Sequence, residues 1–302
     1  MIIRNIRKYM NIKLGKIIPK ILSWIQPTLS TAINSMTWNS VTWSPELSRF
    51  VAVAKHGTGN RVMYSSDGIN WIQPTLSSAI NGIQWNSVTW SPELSRFVAV
   101  ANYGASGSNR VMYSSDGINW IQPTLSSSIN SMYWYSVTWS PKLSRFVAVA
   151  EGTGNKAMYS SDGINWIQPT LSTAINRMQW SSVTWSPELS MFVAVARDGT
   201  GTGVMYSSDG ANWIQPTLST AINGMNWRSV TWSSELSIFV AVGNGTDNKV
   251  MYSSDGINWI QPTLSSSING MQWHSVTWSP ELSRFVAVAQ SGVGKVMYST
   301  FE

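Results

Sequence analysis

The side chains able to do chemistry in this chain recur at fixed spacing. An Asn stands four residues before a Trp six times: Asn34 and Trp38, Asn81 and Trp85, Asn130 and Trp134, Asn176 and Trp180, Asn223 and Trp227, Asn269 and Trp273. An aromatic face beside an amide is what a sugar ring and its hydroxyls require, so these are candidate ligand-binding residues. Repeated sites would raise avidity without any new contact. The same pairs also suit a purely structural role, with the Asn bonding loop backbone and the Trp filling a gap; both readings stand on the sequence. A second set, Asp67, Asp116, Asp162, Asp209 and Asp255, precedes Gly each time. Gly supplies a positive φ and Asp bonds nearby N–H groups, so these carboxylates are expected to hold tight turns rather than to catalyse.

Conventional catalytic constellations are hard to assemble. Arg49, Arg96, Arg145 and Arg284 occupy one equivalent position, as do Glu46, Glu93, Glu188, Glu235 and Glu281, so copies would spread apart rather than converge. The only two histidines, His56 and His274, stand in unrelated positions and there is no Cys. No catalytic residue, metal site or cofactor is therefore expected, and both His are expected to face solvent. The residue after each paired Trp varies (Asn39, Asn86, Tyr135, Ser181, Arg228, His274), through drift or to diversify a protein-binding face.

The elements that must position these residues follow from a long repeat. The segment "WIQPTLS" places Trp24, Trp71, Trp120, Trp166, Trp213 and Trp259, and with two further Trp per unit all 18 Trp are assigned, three to each of six units. In the first full unit, Ser40–Ser44, Arg49–Ala54, Arg61–Ser66 and Asn70–Thr75 read as short strands, being β-branched and aromatic between Pro, Gly and Asp turn signals. Four antiparallel strands per unit predict an all-β, six-bladed β-propeller. Its blades are expected at about 38–76, 85–125, 134–171, 180–218, 227–264 and 273–299, the last completed by residues 21–29 as an N-terminal strand. Such a strand would close the ring and leave no bare sheet edge.

The "SSDGINW" of Ser65–Trp71 and its copies resembles the Asp-box (BNR) repeat of sialidase-like propellers. The resemblance spans all but the first twenty residues, with one departure: Asp67 and Gly68 are adjacent, whereas the usual box separates them by one residue. It implies a turn role for the five Asp at the outer edge of each blade. It also implies, for an active sialidase, three arginines, a Tyr–Glu nucleophile pair and an acidic Asp on different blades. Near-identical blades argue against so asymmetric a site, and the Phe/Tyr-Arg-Ile-Pro motif is absent.

Charge is concentrated at one end. The chain has 20 basic and 14 acidic residues, and Arg4, Arg7, Lys8, Lys13, Lys16 and Lys20 form a leader at 1–20 that holds no acid. The neutral remainder, 21–302, argues against specific nucleic-acid binding. The leader reads either as a helix or flexible arm, or as a basic amphipathic contact for a membrane surface or partner. The expectation is a monomeric, non-enzymatic, multivalent binding protein. Its partner would be a glycan held lectin-like at blade junctions, or a protein bound to a scaffold. A sialidase-like glycosidase is disfavoured.

Overall fold

The computed structural model describes residues 26–57, 59–104, 109–199, 201–219, 222, 226–245, 248–265, 268, 271–289 and 295–300. The leader, Trp24, Asn223 and Asn269 lie outside them. Among the described residues, the strands form six three-stranded antiparallel sheets, each in simple sequence order, the arrangement of a six-bladed β-propeller. The first sheet is β1 (Thr37–Ser44), β2 (Arg49–His56) and β3 (Val62–Ser65). The second is β4 (Gln84–Ser91), β5 (Arg96–Tyr103) and β6 (Val111–Ser114). The third is β7 (Tyr133–Ser140), β8 (Arg145–Glu151) and β9 (Ala157–Ser160). The fourth is β10 (Gln179–Ser186), β11 (Met191–Asp198) and β12 (Val204–Ser207). The fifth is β13 (Asn226–Ser233), β14 (Ile238–Asn244) and β15 (Val250–Ser253). The sixth is β16 (Trp273–Ser279), β17 (Arg284–Ala289) and β18 (Val296–Tyr298).

Two local features differ from the expected strands. The expected fourth strand contributes one bridge, in which Tyr64 and Ile72 exchange both backbone hydrogen bonds at 2.9 Å, with the same pairing at Ile121, Ile167, Ile214 and Ile260. Pro74 and its copies end that contact, because Pro offers no N–H to a ladder. The first strand starts earlier than Ser40 and includes Trp38, and the "AIN" stretch before it is a single helical turn at Thr31–Asn34. Between the first two strands, Leu47 N–H donates to Ser44 Oγ and Ser48 takes a positive φ of 44°.

The core lies between sheets rather than within one. Val51, Val53 and Val62 of the first sheet pack on Trp85, Val88, Trp90, Phe97, Met112 and Trp120 of the second, and the pattern recurs. Middle strands flanked by a sheet on each side, such as β5 and β8, are buried on both faces, which is why they read "FVAVA" without alternation. Polar clasps cross every one of these junctions. Ser40 Oγ accepts from Val88 N at 3.2 Å, and Trp90 Nε1 donates to Glu46 Oε2 at 2.8 Å. Arg49 reaches the carbonyl of Asp116 in the next sheet and lies over Tyr64, 5.2 Å from its centroid. Glu46, Glu93, Glu188 and Glu235, with Arg49, Arg96 and Arg145, are therefore inter-sheet fasteners.

Candidate functional site

Five of the six paired Trp are closed off, whereas Trp38 is half-buried and lines a cavity of about 340 Å³ with Val41, Met63 and Trp71. Trp85, Trp134, Trp180 and Trp227 are 0 % exposed and Trp273 1 %. Their indoles belong to the junction cores, so neither face is available to a sugar ring. Trp38, Trp85, Trp134 and Trp180 donate Nε1–H to the carbonyls of Ile33, Ile80, Ile129 and Ile175 at 3.0, 3.4, 3.0 and 3.1 Å. Asn34 Nδ2 donates to Leu29 O, Asn130 Nδ2 to Asn109 Oδ1 and Asn176 Nδ2 to Asn155 Oδ1, tying the connecting loops together. Asn81 Oδ1 is buried. The structural role wins because an indole large enough to stack on a sugar is also the best available filler for a twisted inter-sheet gap.

The five Asp hold their turns. Asp67 Oδ1 accepts from the N–H groups of Ile69 and Asn70 at 2.8 Å and from Ser65 Oγ at 2.9 Å, while Oδ2 accepts from Asn70 Nδ2. Asp116, Asp162, Asp209 and Asp255 repeat the arrangement. Partial burial alone would raise the Asp162 and Asp209 pKa, but these donors outweigh it and hold both at about 2.

The residues that converge are the ones that vary. In the first sheet Trp38 pairs with Ala54 but Ser40 with Val53, so Asn39 is an extra, bulged residue. The shift recurs around Asn86, Tyr135, Ser181, Arg228 and His274. A bulge re-aims a side chain out of the alternating pattern. All six bulge residues line one cavity of about 470 Å³, together with the following Ser of each sheet and with Lys55 and Arg197. Six first strands thus surround a common axis. Asn39 Nδ2 donates to Asn86 O and Asn86 Nδ2 to Tyr135 O, both at 2.6 Å, and Ser181 Oγ donates to Trp227 O at 2.9 Å, stitching the bulges of adjacent sheets.

Charge at this axis is unbalanced. Lys55, Arg197 and Arg228 come from the first, fourth and fifth sheets. Arg197 pairs with the buried carboxylate of Glu151, and its guanidinium sits 4.8 Å from the Tyr135 ring centroid. Burial first, and Arg197 second, lower the Lys55 and Arg228 pKa values, with Glu151 opposing. His274 is lowered by burial and then by Arg228 and Lys55. Burial raises the Glu151 carboxyl pKa against Arg197 and a Tyr135 hydrogen bond. Cations that destabilise one another across a cavity favour an anion between them. Both His are exposed, as expected: His274 at the lining of this cavity and His56 at the end of β2. Among the described residues no group of His, Asp or Glu is placed to hold a metal ion.

Sequence comparison adds no family: no family model and no curated protein matches the chain. Solved structures share the fold. The GH74 enzyme of Niastella koreensis superposes with a TM-score of 0.62 at 15 % identity, over 89 % of this chain and 48 % of that one. The present chain thus spans about half of that enzyme. A candidate 6-phosphogluconolactonase of Bacteroides uniformis gives 0.57 at 11 % identity, over 83 % and 77 % of the two chains. A luciferin-regenerating enzyme gives 0.54 at 11 %, over 86 % of each. The expectation of a non-enzymatic protein is corrected by these relatives, which are enzymes on the same fold. Its ground fails as well: the blades are near copies along their cores, yet at the axis they contribute five kinds of side chain, Asn twice and Tyr, Ser, Arg and His once each.

Proposed function

We propose that this protein is a six-bladed propeller that takes one small anionic, hydroxyl-rich ligand at its axis, a sugar bearing a carboxylate or a phosphate. The observation that carries this reading is the axial charge: Lys55, Arg197 and Arg228 face one cavity beside His274, and among the described residues only Glu151 answers them. Carbohydrate recognition is thereby moved from the junctions, where the indoles are buried, to the axis, where Asn, Ser and Tyr side chains surround the cations. The fold relative described as a 6-phosphogluconolactonase points to a phosphorylated sugar as the kind of ligand such charge accepts. The reading takes each blade as four-stranded, with an Asp-box-like turn at its outer edge, as supported by the Asp67-type hydrogen bonds.

Titration calorimetry with 6-phosphogluconate, gluconate and inorganic phosphate tests it. Saturable 1:1 binding of an anionic sugar is expected, weakened roughly tenfold by Arg228→Gln or Lys55→Gln, the loss of one charge-assisted hydrogen bond. Binding that is unchanged in both variants contradicts an axial site. A second reading, catalysis in the same cavity, is favoured by one contact. Tyr135 and Glu151 both stand against Arg197, Tyr135 with its ring under the guanidinium and Glu151 as its ion-pair partner, resembling the Tyr–Glu pair and arginines of sialidases. Turnover of a fluorogenic sialoside that disappears in Tyr135→Phe supports this, and the absence of turnover contradicts it.

A further inference from the structure

We infer that Lys55 is a nucleophile of the axial cavity, forming an imine with the carbonyl carbon of a ligand that also bears a carboxylate or phosphate. The inference rests on the reading of the axis as an anion site and adds a covalent step to it.

The placement of Lys55 comes first. Thr37 pairs with His56 and Trp38 with Ala54, so Lys55 is an extra residue on β2, as Asn39 is on β1. Two bulges in one sheet turn both residues out of the alternation, and both line the cavity of about 470 Å³. Arg197 is bulged from β11 in the same way, between Ala196 and Asp198. The position two residues beyond "FVAV" carries Lys55, Asn102, Glu151, Arg197 and Asn244 in turn. Among the described residues that line the cavity, Lys55 is thus the one primary amine.

Its surroundings come second. Among the described residues the carboxylate that acts on Lys55 is Glu151, and Arg197 is paired with it. The amine therefore stands beside a guanidinium without a carboxylate of its own. Desolvation first and Arg197 second hold its pKa below the ordinary lysine value, with Glu151 opposing. A desolvated amine next to another cation is how a lysine becomes a nucleophile toward carbonyls. Arg197 and Arg228 cannot take that part, because a guanidinium stays protonated. Lysines elsewhere differ: Lys156 is buried but donates to Met178 O at 2.8 Å, and Lys142 is exposed.

The proton path comes third. His274 lines the same cavity, and burial, Arg228 and Lys55 lower its pKa in that order. It takes one proton from the Lys55 ammonium. The free amine attacks the carbonyl carbon, the C–N bond forms and the π pair moves to oxygen. One proton passes from nitrogen to that oxygen, giving a carbinolamine. The His274 imidazolium then protonates the hydroxyl, the C–O bond breaks and water leaves. The nitrogen lone pair completes a protonated imine, so ammonium and carbonyl become iminium and water with no oxidant or reductant. Arg228 is left to hold the ligand's anionic group.

Borohydride trapping of the full chain with pyruvate, and separately with glyceraldehyde 3-phosphate, followed by peptide mass spectrometry, tests the step. The first probe presents a carboxylate beside its carbonyl and the second a phosphate. With one probe or both, Lys55 is expected to be labelled at least about tenfold faster than Lys142, because binding holds the carbonyl against one amine. 6-Phosphogluconate, which offers no aldehyde or ketone, is expected to suppress the labelling of Lys55 and not that of Lys142. In Lys55→Arg, which keeps the charge, the adduct disappears while calorimetric binding of 6-phosphogluconate is retained. Labelling of Lys55 no faster than that of Lys142 with both probes overturns the inference. If 6-phosphogluconate still binds in that case, the imine alone is lost and the anion site stands; if it does not bind, both are lost.

Discussion

Residue-scale differences between units act as internal mutants. Trp90, Trp139, Trp232 and Trp278 each donate Nε1–H to a Glu of the preceding sheet, at 2.6–2.8 Å. The third sheet carries Lys142 in that position, and Trp185 Nε1 is buried with no acceptor. Lys142→Glu is therefore expected to stabilise the fold by about 1 kcal/mol, the net worth of a buried hydrogen bond. Urea denaturation of the two proteins measures it, and an unchanged midpoint contradicts the clasp. Asp162 and Asp209 have folded pKa values of about 2, below the unfolded carboxylate value. Their contribution is full above pH ~4 and is lost as pH falls toward 2. Asp162→Asn should flatten the acid limb of a Tm-against-pH profile while leaving its neutral plateau lower. The turn role of these Asp was legible from sequence because Asp–Gly before a strand has one local use. The burial of Trp85 and its copies was not, since an Asn–Trp spacing does not say which side of a sheet the indole takes.

At the scale of elements, the hairpins and the bulges do opposite work. The Asp–Gly hairpin is fixed by contact with the preceding sheet: Gly117 has φ +74°, and a Cβ placed on it would sit 2.6 Å from Cγ2 of Val51. Gly117→Ala adds both strain and overlap and is expected to cost about 2 kcal/mol or more, against a few tenths for a change at exposed Ser115. Thermal unfolding of the two variants decides between a packed hairpin and a free one. The bulge, by contrast, turns one residue per sheet toward the axis. Strand order, turns and the sixfold period were readable because Pro, Gly and β-branched residues punctuate each unit. The bulge was not readable: "WNSVTW" has the same alternation with or without an extra residue, and only the register of Trp38 with Ala54 and of Ser40 with Val53 reveals it. A signal did exist, namely that Asn39, Asn86, Tyr135, Ser181, Arg228 and His274 differ where their neighbours are copied.

For the whole molecule, repetition and asymmetry occupy different shells. The inter-sheet cores are repeated Trp, Phe and Val, whereas the axis gathers Lys55, Tyr135, Glu151, Arg197, Arg228 and His274 once each. An axis of this kind makes ligand affinity pH-dependent. His274 is held below its ordinary pKa by burial and by Arg228 and Lys55, so it is neutral at pH 7 and gains a proton as the solution is acidified. Anion binding is expected to strengthen below that pKa, and His274→Gln to reduce the dependence without abolishing binding. Calorimetry at several pH values shows whether it does.

The most direct measurement is a crystal structure of the full chain soaked with 6-phosphogluconate. The account predicts one ligand per chain on the axis, its anionic oxygens within hydrogen-bond distance of Lys55, Arg228 and His274, with Tyr135 and the bulge amides around the sugar. Density for the ligand at the sheet junctions or on the outer rim, with the axis holding only solvent, would contradict it.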